Sequence, residues 1–215
     1  SIIGASEERA AAKVIKEKFP TTCIGFLGAF AHVDVDEFLT VGDFVIQGEP
    51  EQLCQEIAEG LIFPEGLVVS EQIKDLDNLP NPDYRGFPVS DYSYAPLLKK
   101  RPFLPITTTR GCPYDCFYCP YMVNQGKHFR KHSVSRVIEQ IEECIRYHNI
   151  NSILFRDIVF TINKKRTREL CELIIDKDIN IRWGCETRID CLDENLIKLM
   201  RRAGCESMHF GIESS

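Results

Sequence analysis

The 215-residue chain is 44% hydrophobic and 27% charged, a balance that supports a buried core and excludes a disordered or collagen-like protein. No apolar run approaches the roughly 18 residues a bilayer-spanning helix requires, and no charged-then-apolar leader heads the sequence, so the expectation is a cytoplasmic protein without a membrane span. The net charge of -6 is divided unevenly: residues 1–100 hold 8 Lys and Arg against 17 Asp and Glu (-9), and residues 101–215 hold 18 against 15 (+3), which predicts two units with different tasks and is far below the footprint of a dedicated nucleic-acid binder.

The length exceeds one average domain and falls short of two complete ones. With no initiator Met at Ser1 and a strand-like segment just before Ser215, the expectation is a piece of a larger enzyme.

The first segment alternates helix and strand. A helix is predicted from a cap at Ser6 to about Lys18, with Ala10, Ala11, Val14 and Ile15 on one face and Pro20 beyond its end. Residues 23–30 read as a buried strand interrupted by Gly25 and Gly28, residues 43–47 (DFVIQ) as a second strand, and Pro50 opens a helix through Gln52, Ile57 and Ala58. That order is half of a parallel α/β sheet. Residues 61–104 lose the helical period and carry Pro64, Pro80, Pro82, Pro88, Pro96 and Pro102, the composition of a connector.

From Leu104 a second rhythm starts. It runs as a strand over 104–108, a cysteine-rich loop, and a helix from Ser133 with Val134, Val137, Ile138, Ile141 and Ile145 on one face. A strand over 152–156, a helix over about 165–175 and a strand over 180–185 follow. Asp193 caps the next helix, which Arg201, Arg202 and Gly204 end, and a strand over 207–212 comes last. Strand starts near 152, 181 and 207 are spaced by 26 to 29 residues, the period of a parallel barrel assembled from βα units.

Ten cysteines in a secreted protein would predict disulfides. Here Cys112, Cys116 and Cys119 crowd into eight residues, while Cys23, Cys54, Cys144, Cys171, Cys185, Cys191 and Cys205 are scattered, several in apolar runs where cysteine serves as a small hydrophobe of a reduced interior. The segment TRGCPYDCFYCP (109–120) sets three thiols at CxxxCxxC spacing directly after a barrel strand. A 4Fe-4S cube takes one thiolate per iron, so four cysteines close it and three leave one iron open to a substrate. Gly111 and Pro113 let the loop curl, at the strand end where barrel active sites gather. A zinc knuckle, or half of a ferredoxin whose fourth Cys lies elsewhere, stays open as a scaffold or binding module without catalysis. Zinc normally closes four ligands from paired units and no second cysteine pair exists. His128 and His132, four apart in a charged run, read as helix-capping or phosphate-facing residues.

CPYDCFYC resembles the CxxxCxΦC signature of the radical S-adenosylmethionine (SAM) superfamily, with Tyr118 at the aromatic position. The resemblance implies that Cys112, Cys116 and Cys119 hold a 4Fe-4S cluster whose open iron chelates SAM. An electron from the cluster then breaks a C–S bond to give methionine and a 5′-deoxyadenosyl radical that abstracts hydrogen from substrate. It extends from about Ile106 to Ser215, where RDIVFT (156–161), CETRID (185–190) and HFGIES (209–214) follow the second, third and fourth strands. By position it implies SAM contacts from Asp157 to the amino group and from Glu213 and Ser214 to the ribose, with Arg188 paired to the methionine carboxylate and Glu186 and Tyr118 also in the cofactor site. Ile158 stands where many relatives have a second Asp or a Pro, which weakens a two-carboxylate reading of that loop. No catalytic residue beyond the cluster ligands is assigned.

The first segment, with RGCPYDCFYCP, GKHFRKHS and ETRID, resembles the cobalamin-binding-domain subfamily of radical SAM proteins, similar to anaerobic magnesium-protoporphyrin IX monomethyl ester cyclase-like and class B methyltransferase-like proteins. GDFVIQGEPEQ (42–52) looks like the end of its Rossmann-like unit and LPNPDY (79–84) like its linker. The expected architecture is therefore α/β: the C-terminal part of a Rossmann-like cobalamin-binding domain over 1–65, a linker over 66–104, and the N-terminal part of a radical SAM barrel over 105–215, with four of about six βα units. The implied cofactors are the 4Fe-4S cluster, SAM and cobalamin. The implied partners are a small-molecule substrate and a reductant such as flavodoxin or ferredoxin, for methyl transfer or oxidative cyclisation at an unactivated carbon. His32 is a candidate neighbour of the corrin, although a lone His in a strand-following loop is more often structural.

Overall fold

Among the described residues, the alternation of apolar and amphipathic segments builds two separate parallel sheets, one of three strands and one of four, and a two-stranded antiparallel ribbon. The computed structural model describes residues 4–28, 30–31, 33–119, 121 and 125–212. They divide into one unit reaching to Lys74 and including Gly111–His128, and another made of Asp75–Arg110 and Phe129 onward. No helix of the described residues is long and apolar enough to cross a membrane.

The first unit runs α1 (Ala5–Lys18), β1 (Gly25–Leu27), α2 (Val35–Leu39), β2 (Phe44–Gln47), α3 (Glu51–Ala58) and β3 (Gly66–Val69), with β2 between the other two strands. Phe44, Val45 and Ile46 are all buried, as a central parallel strand covered on both faces requires. Val45 packs with Ala5, Ala31 and Phe38, whereas Phe44 and Ile46 pack with Leu53. Because successive strand residues face opposite ways, α1 and α2 cover one face and α3 the other.

Four expectations change here. Ala10, Ala11, Val14 and Ile15 are exposed, and α1 buries Ala5 and Ala12 instead; the strand expected to be buried over 23–30 is the three-residue β1, whose Gly25 and Leu27 are exposed. The first helix starts at Ala5 with Gly4 in the cap position, and the Ser6 hydroxyl donates to the Glu7 carboxylate at 2.8 Å instead of capping. β3 lies within the stretch read as connector. Its GLVV run is too short to stand out between Pro64 and the following polar residues, but pairing with β2 gives its backbone partners.

The second unit contains β4 (Phe103–Ile106), β5 (Thr109–Arg110), β6 (Arg130–Lys131), α4 (Val134–His148), β7 (Ser152–Phe155), α5 (Lys164–Asp176), β8 (Arg182–Thr187), α6 (Glu194–Arg202) and β9 (Cys205–Phe210). β4, β7, β8 and β9 pair in parallel in chain order, the arrangement of successive βα units of a barrel. Each helix between them starts on a side-chain cap: Ser133 accepts from the Arg136 amide, Asn163 from the Arg166 amide and Asp193 from the Leu196 amide. On α4, Val134, Val137, Ile138, Ile141 and Cys144 form the buried stripe that the period of 3.6 predicts. After α6 the chain reverses at Gly204, where φ is +100° and a Cβ would stand 2.3 Å from the Ile181 carbonyl oxygen.

Trp183 sits at the centre of this core, fully buried, with its indole N–H donating to the Ala203 carbonyl at 2.8 Å. Phe155 and Phe160 pack on it with ring centroids 5.4 and 5.5 Å away. The proline-rich connector lies on this unit. Arg136 donates to the Leu79 carbonyl at 2.9 Å, Asn81 to Glu143, and the Tyr84 hydroxyl to the Pro105 carbonyl at 2.9 Å.

Candidate functional site

The cysteine loop leaves β5 at Arg110 and returns into β6 at Arg130, and the two strands pair Thr109 with Lys131 and Arg110 with Arg130. Gly111 has a φ of +80°, and a Cβ there would fall 2.0 Å from the His128 carbonyl oxygen, so glycine alone fits the start of the loop. Beyond it the Cys112 amide donates to the Gly126 carbonyl at 3.1 Å, and the Cys119 amide donates to the Cys116 carbonyl at 3.0 Å, a turn joining the second and third thiols. Cys112 is buried and Cys116 and Cys119 are half-buried. Tyr118 is exposed and meets the still more accessible Phe117 edge-on, centroids 5.4 Å apart.

Several of the other cysteines belong to the core. Burial pushes the Cys144 thiol up to about 11 and the Cys171 thiol up to about 12. Cys185 is also raised, first by its hydrogen bond with Cys205 and then by burial. Such thiols stay protonated at neutral pH, whereas iron and zinc bind thiolate. The loop offers three soft sulfurs in one short turn-rich segment, a donor set that fits three irons of a cubane. Among the described residues no group of three or more His, Cys, Asp or Glu is placed to hold a metal ion.

The run from His128 to His132 is less solvated than its charges predict. His128 is exposed, but Arg130 is buried, and the His132 ring lies 3.2 Å from the Asp77 carboxylate, which also accepts from the Ser133 amide at 2.9 Å. Burial holds His132 below its ordinary value, against the pull of Asp77.

At the C-terminal ends of the parallel strands of the second unit the side chains turn polar and tie neighbouring strands together. Asp157, fully buried, accepts at Oδ1 from the Thr108 amide and hydroxyl, both at 3.0 Å, and from the Thr109 hydroxyl at 2.5 Å. Burial pushes its carboxyl up, with the Thr109 and Thr108 hydrogen bonds and Arg166 acting in the opposite sense. Arg156 pairs with Glu186 at 2.5 Å, the Phe160 amide donates to the Glu186 carbonyl at 2.9 Å, and the Thr161 and Thr187 hydroxyls meet at 2.5 Å. Arg188 forks onto Asp190 at 3.0 and 2.8 Å. The ends of β7 and β8 therefore bring Glu186 next to Arg156 and leave Arg188 with Asp190 in the following turn. Glu213, Ser214 and His32 lie outside the described residues. Arg166, Thr161 and Thr187 are the polar residues of this rim that sequence reasoning misses. The Thr107–Thr109 run after an apolar strand is the one local signal of it.

Residues 106–215, which take in the last residue of β4, the cysteine loop, β7, β8 and β9, match the model of the radical SAM superfamily. The chain belongs to that superfamily. An uncharacterized methyltransferase of Pyrococcus horikoshii is 33% identical over 190 residues, 80% of this chain and 40% of that protein. The anaerobic magnesium-protoporphyrin IX monomethyl ester cyclase of Rubrivivax gelatinosus is 29% identical over 230 residues, 95% of this chain and 40% of the cyclase. The chain thus spans about 40% of the length of these radical SAM relatives. Among solved structures, the cobalamin-dependent SAM radical enzyme OxsB, with aqua-cobalamin and SAM bound, superposes with a TM-score of 0.56 at 17% identity, over 94% of this chain and 37% of OxsB. The α/β fold, with its two parallel sheets, is that of this class of radical SAM protein.

Proposed function

We propose that the protein is a SAM-cleaving, cobalamin-linked radical enzyme that acts by methyl transfer or oxidative cyclisation on an unactivated carbon of a small molecule. The observation that carries the reading is the loop at 112–119: three thiols at CxxxCxxC spacing in one short turn-rich segment that belongs to the superfamily's matched region. Cys112, Cys116 and Cys119 would hold the 4Fe-4S cluster. When bound, that group supplies the electron that splits a C–S bond of SAM into methionine and a 5′-deoxyadenosyl radical.

The remaining residues bind and orient. Glu186 and Arg188 are our candidates for the methionine end of SAM, since each is a charged group on a partly open strand end that can exchange a protein ion pair for the zwitterion. Tyr118 offers a ring beside the third thiol, and Glu213 and Ser214 are carried forward as ribose contacts. We read residues 1–65, extended through β3 to Val69, as the C-terminal part of a cobalamin-binding Rossmann-like domain, 70–104 as the linker and 105–215 as the start of the barrel. The parallel three-stranded sheet and the cobalamin dependence of OxsB support that reading. A flavodoxin or ferredoxin as electron donor, and a cytoplasmic, reducing location, follow from the same chemistry.

Anaerobic reconstitution of the full-length protein tests the proposal. About four irons with matching sulfide per chain, and 5′-deoxyadenosine released from SAM on reduction, are expected. Iron and SAM binding with no such nucleoside under any reductant contradicts it, and failure to retain added cobalamin removes the corrin part alone.

A further inference from the structure

We propose that Asp157 and Arg166 are a buried clasp that fixes the root of the cysteine loop, and so act as positioning residues for the cluster ligands and not as contacts to SAM. The inference rests on the radical SAM reading only for what the loop carries; the clasp itself is read from the protein.

The loop springs from the β5–β6 ribbon, and Thr108 and His132 stand at its two feet, joined by a hydrogen bond from the His132 amide to the Thr108 carbonyl at 3.0 Å. Asp157 holds the outgoing foot through the three donors of Thr108 and Thr109. Arg166 holds both feet: its guanidinium donates to the Thr108 carbonyl at 3.4 Å and twice to the His132 carbonyl at 3.2 Å. The two charged groups come from consecutive elements, the loop after β7 and the first turn of α5, where Asn163 caps the helix by accepting from the Arg166 amide at 3.1 Å. Asp157 is 0% exposed and Arg166 5%.

Burying a carboxylate and a guanidinium is costly and rarely repaid in stability, so their place here needs another reason. Geometry supplies one. All six hydrogen bonds end on the two strand feet, and none on the elements that build the hydrophobic core. A carboxylate that accepts from an amide and two hydroxyls fixes backbone direction as well as position, four residues before Cys112. Its other oxygen, Oδ2, is buried with no hydrogen-bond partner, so the ribbon is held through one oxygen and an amide in place of the carboxylate keeps the same acceptor.

The test is hydrogen exchange in the cluster-free full-length protein, followed by iron loss to a chelator after reconstitution. Asp157→Ala is expected to speed exchange of the amides at 108–112 and 130–132 by about tenfold while those of β8 and α6 keep their wild-type protection. It should shorten the lifetime of the reconstituted iron centre by a similar factor. Asp157→Asn, which retains the Oδ1 acceptor, should restore both, and Thr109→Val, which removes one donor without changing shape, should give a partial loss confined to the ribbon. Unchanged ribbon exchange in Asp157→Ala, with only the response of the centre to SAM lost, overturns the clasp and returns Asp157 to the cofactor. Should Asp157→Ala not fold, Thr109→Val and Asp157→Asn decide: wild-type ribbon exchange in the Thr109 variant, or faster exchange in the Asn variant, contradicts the proposal. Because exchange is read without iron, failure of the radical SAM reading leaves this result standing, and the two failures are distinguishable.

Discussion

The bodies of β4, β7 and β8 and their C-terminal ends are built from opposite materials. Leu104, Ile106, Ile153, Leu154, Phe155, Trp183 and Cys185 are buried and apolar, and their role is packing. At or within two residues of those strand ends come Thr108, Asp157, Glu186 and Thr187, which are joined across neighbouring strands by hydrogen bonds and ion pairs. The same backbone thus carries a rigid body and a polar rim. The contrast shows where the chain has surrendered apolar stability for placement of charged groups.

The sharpest way to break that contrast is through the cysteines. Replacing Cys112, Cys116 or Cys119 by Ala should reduce iron from about four per chain to nearly none, whereas Cys171→Ala, in the body, should leave iron content unchanged; iron and sulfide analysis after anaerobic reconstitution reads both. Trp183→Ala opens a cavity in the strand bodies and removes the indole bond to Ala203, and should cost about 3–5 kcal/mol in urea unfolding. Asp193→Ala removes the cap of α6 and a salt bridge to Arg168 at 2.7 Å, and should cost about 1 kcal/mol in the same measurement. On the rim, Arg156→Ala should change stability by less than about 1 kcal/mol, because its pair with Glu186 is partly exposed and screened.

The smallest effect is a pH slope at the ribbon. Burial lowers the folded-state value of His132 from 6.5; Asp77 opposes the shift, while Arg110 and Arg136 reinforce it. In the window between that lowered value and 6.5 the unfolded chain binds the proton more readily, so stability should fall as pH drops below about 6.5. His132→Asn should flatten that part of the curve in chemical denaturation at stepped pH; an unchanged slope contradicts the assignment.

Local rules reach the strand bodies and the helix starts. Ser133 and Asp193 announce their helices because a cap acts on the amide three residues on, and the buried stripe of α4 repeats with the helical period. Gly111 and the CxxxCxxC spacing likewise mark the loop from eleven consecutive residues. The rim is illegible for the opposite reason. Arg166 lies in a Lys- and Arg-rich turn that reads as solvated, yet its partners are 34 and 58 residues away, and the acceptor role of Asp157 depends on Thr108 and Thr109 across the sheet. β3 is missed because a four-residue run acquires its identity only from its pairing with β2.

The most direct measurement is the electron paramagnetic resonance spectrum of the anaerobically reduced full-length protein with and without SAM. Three thiolates and an open iron predict a reduced 4Fe-4S signal that changes when SAM is added and that Cys116→Ala abolishes. A protein that instead carries one zinc and no sulfide, or a cluster whose signal is indifferent to SAM, contradicts the account.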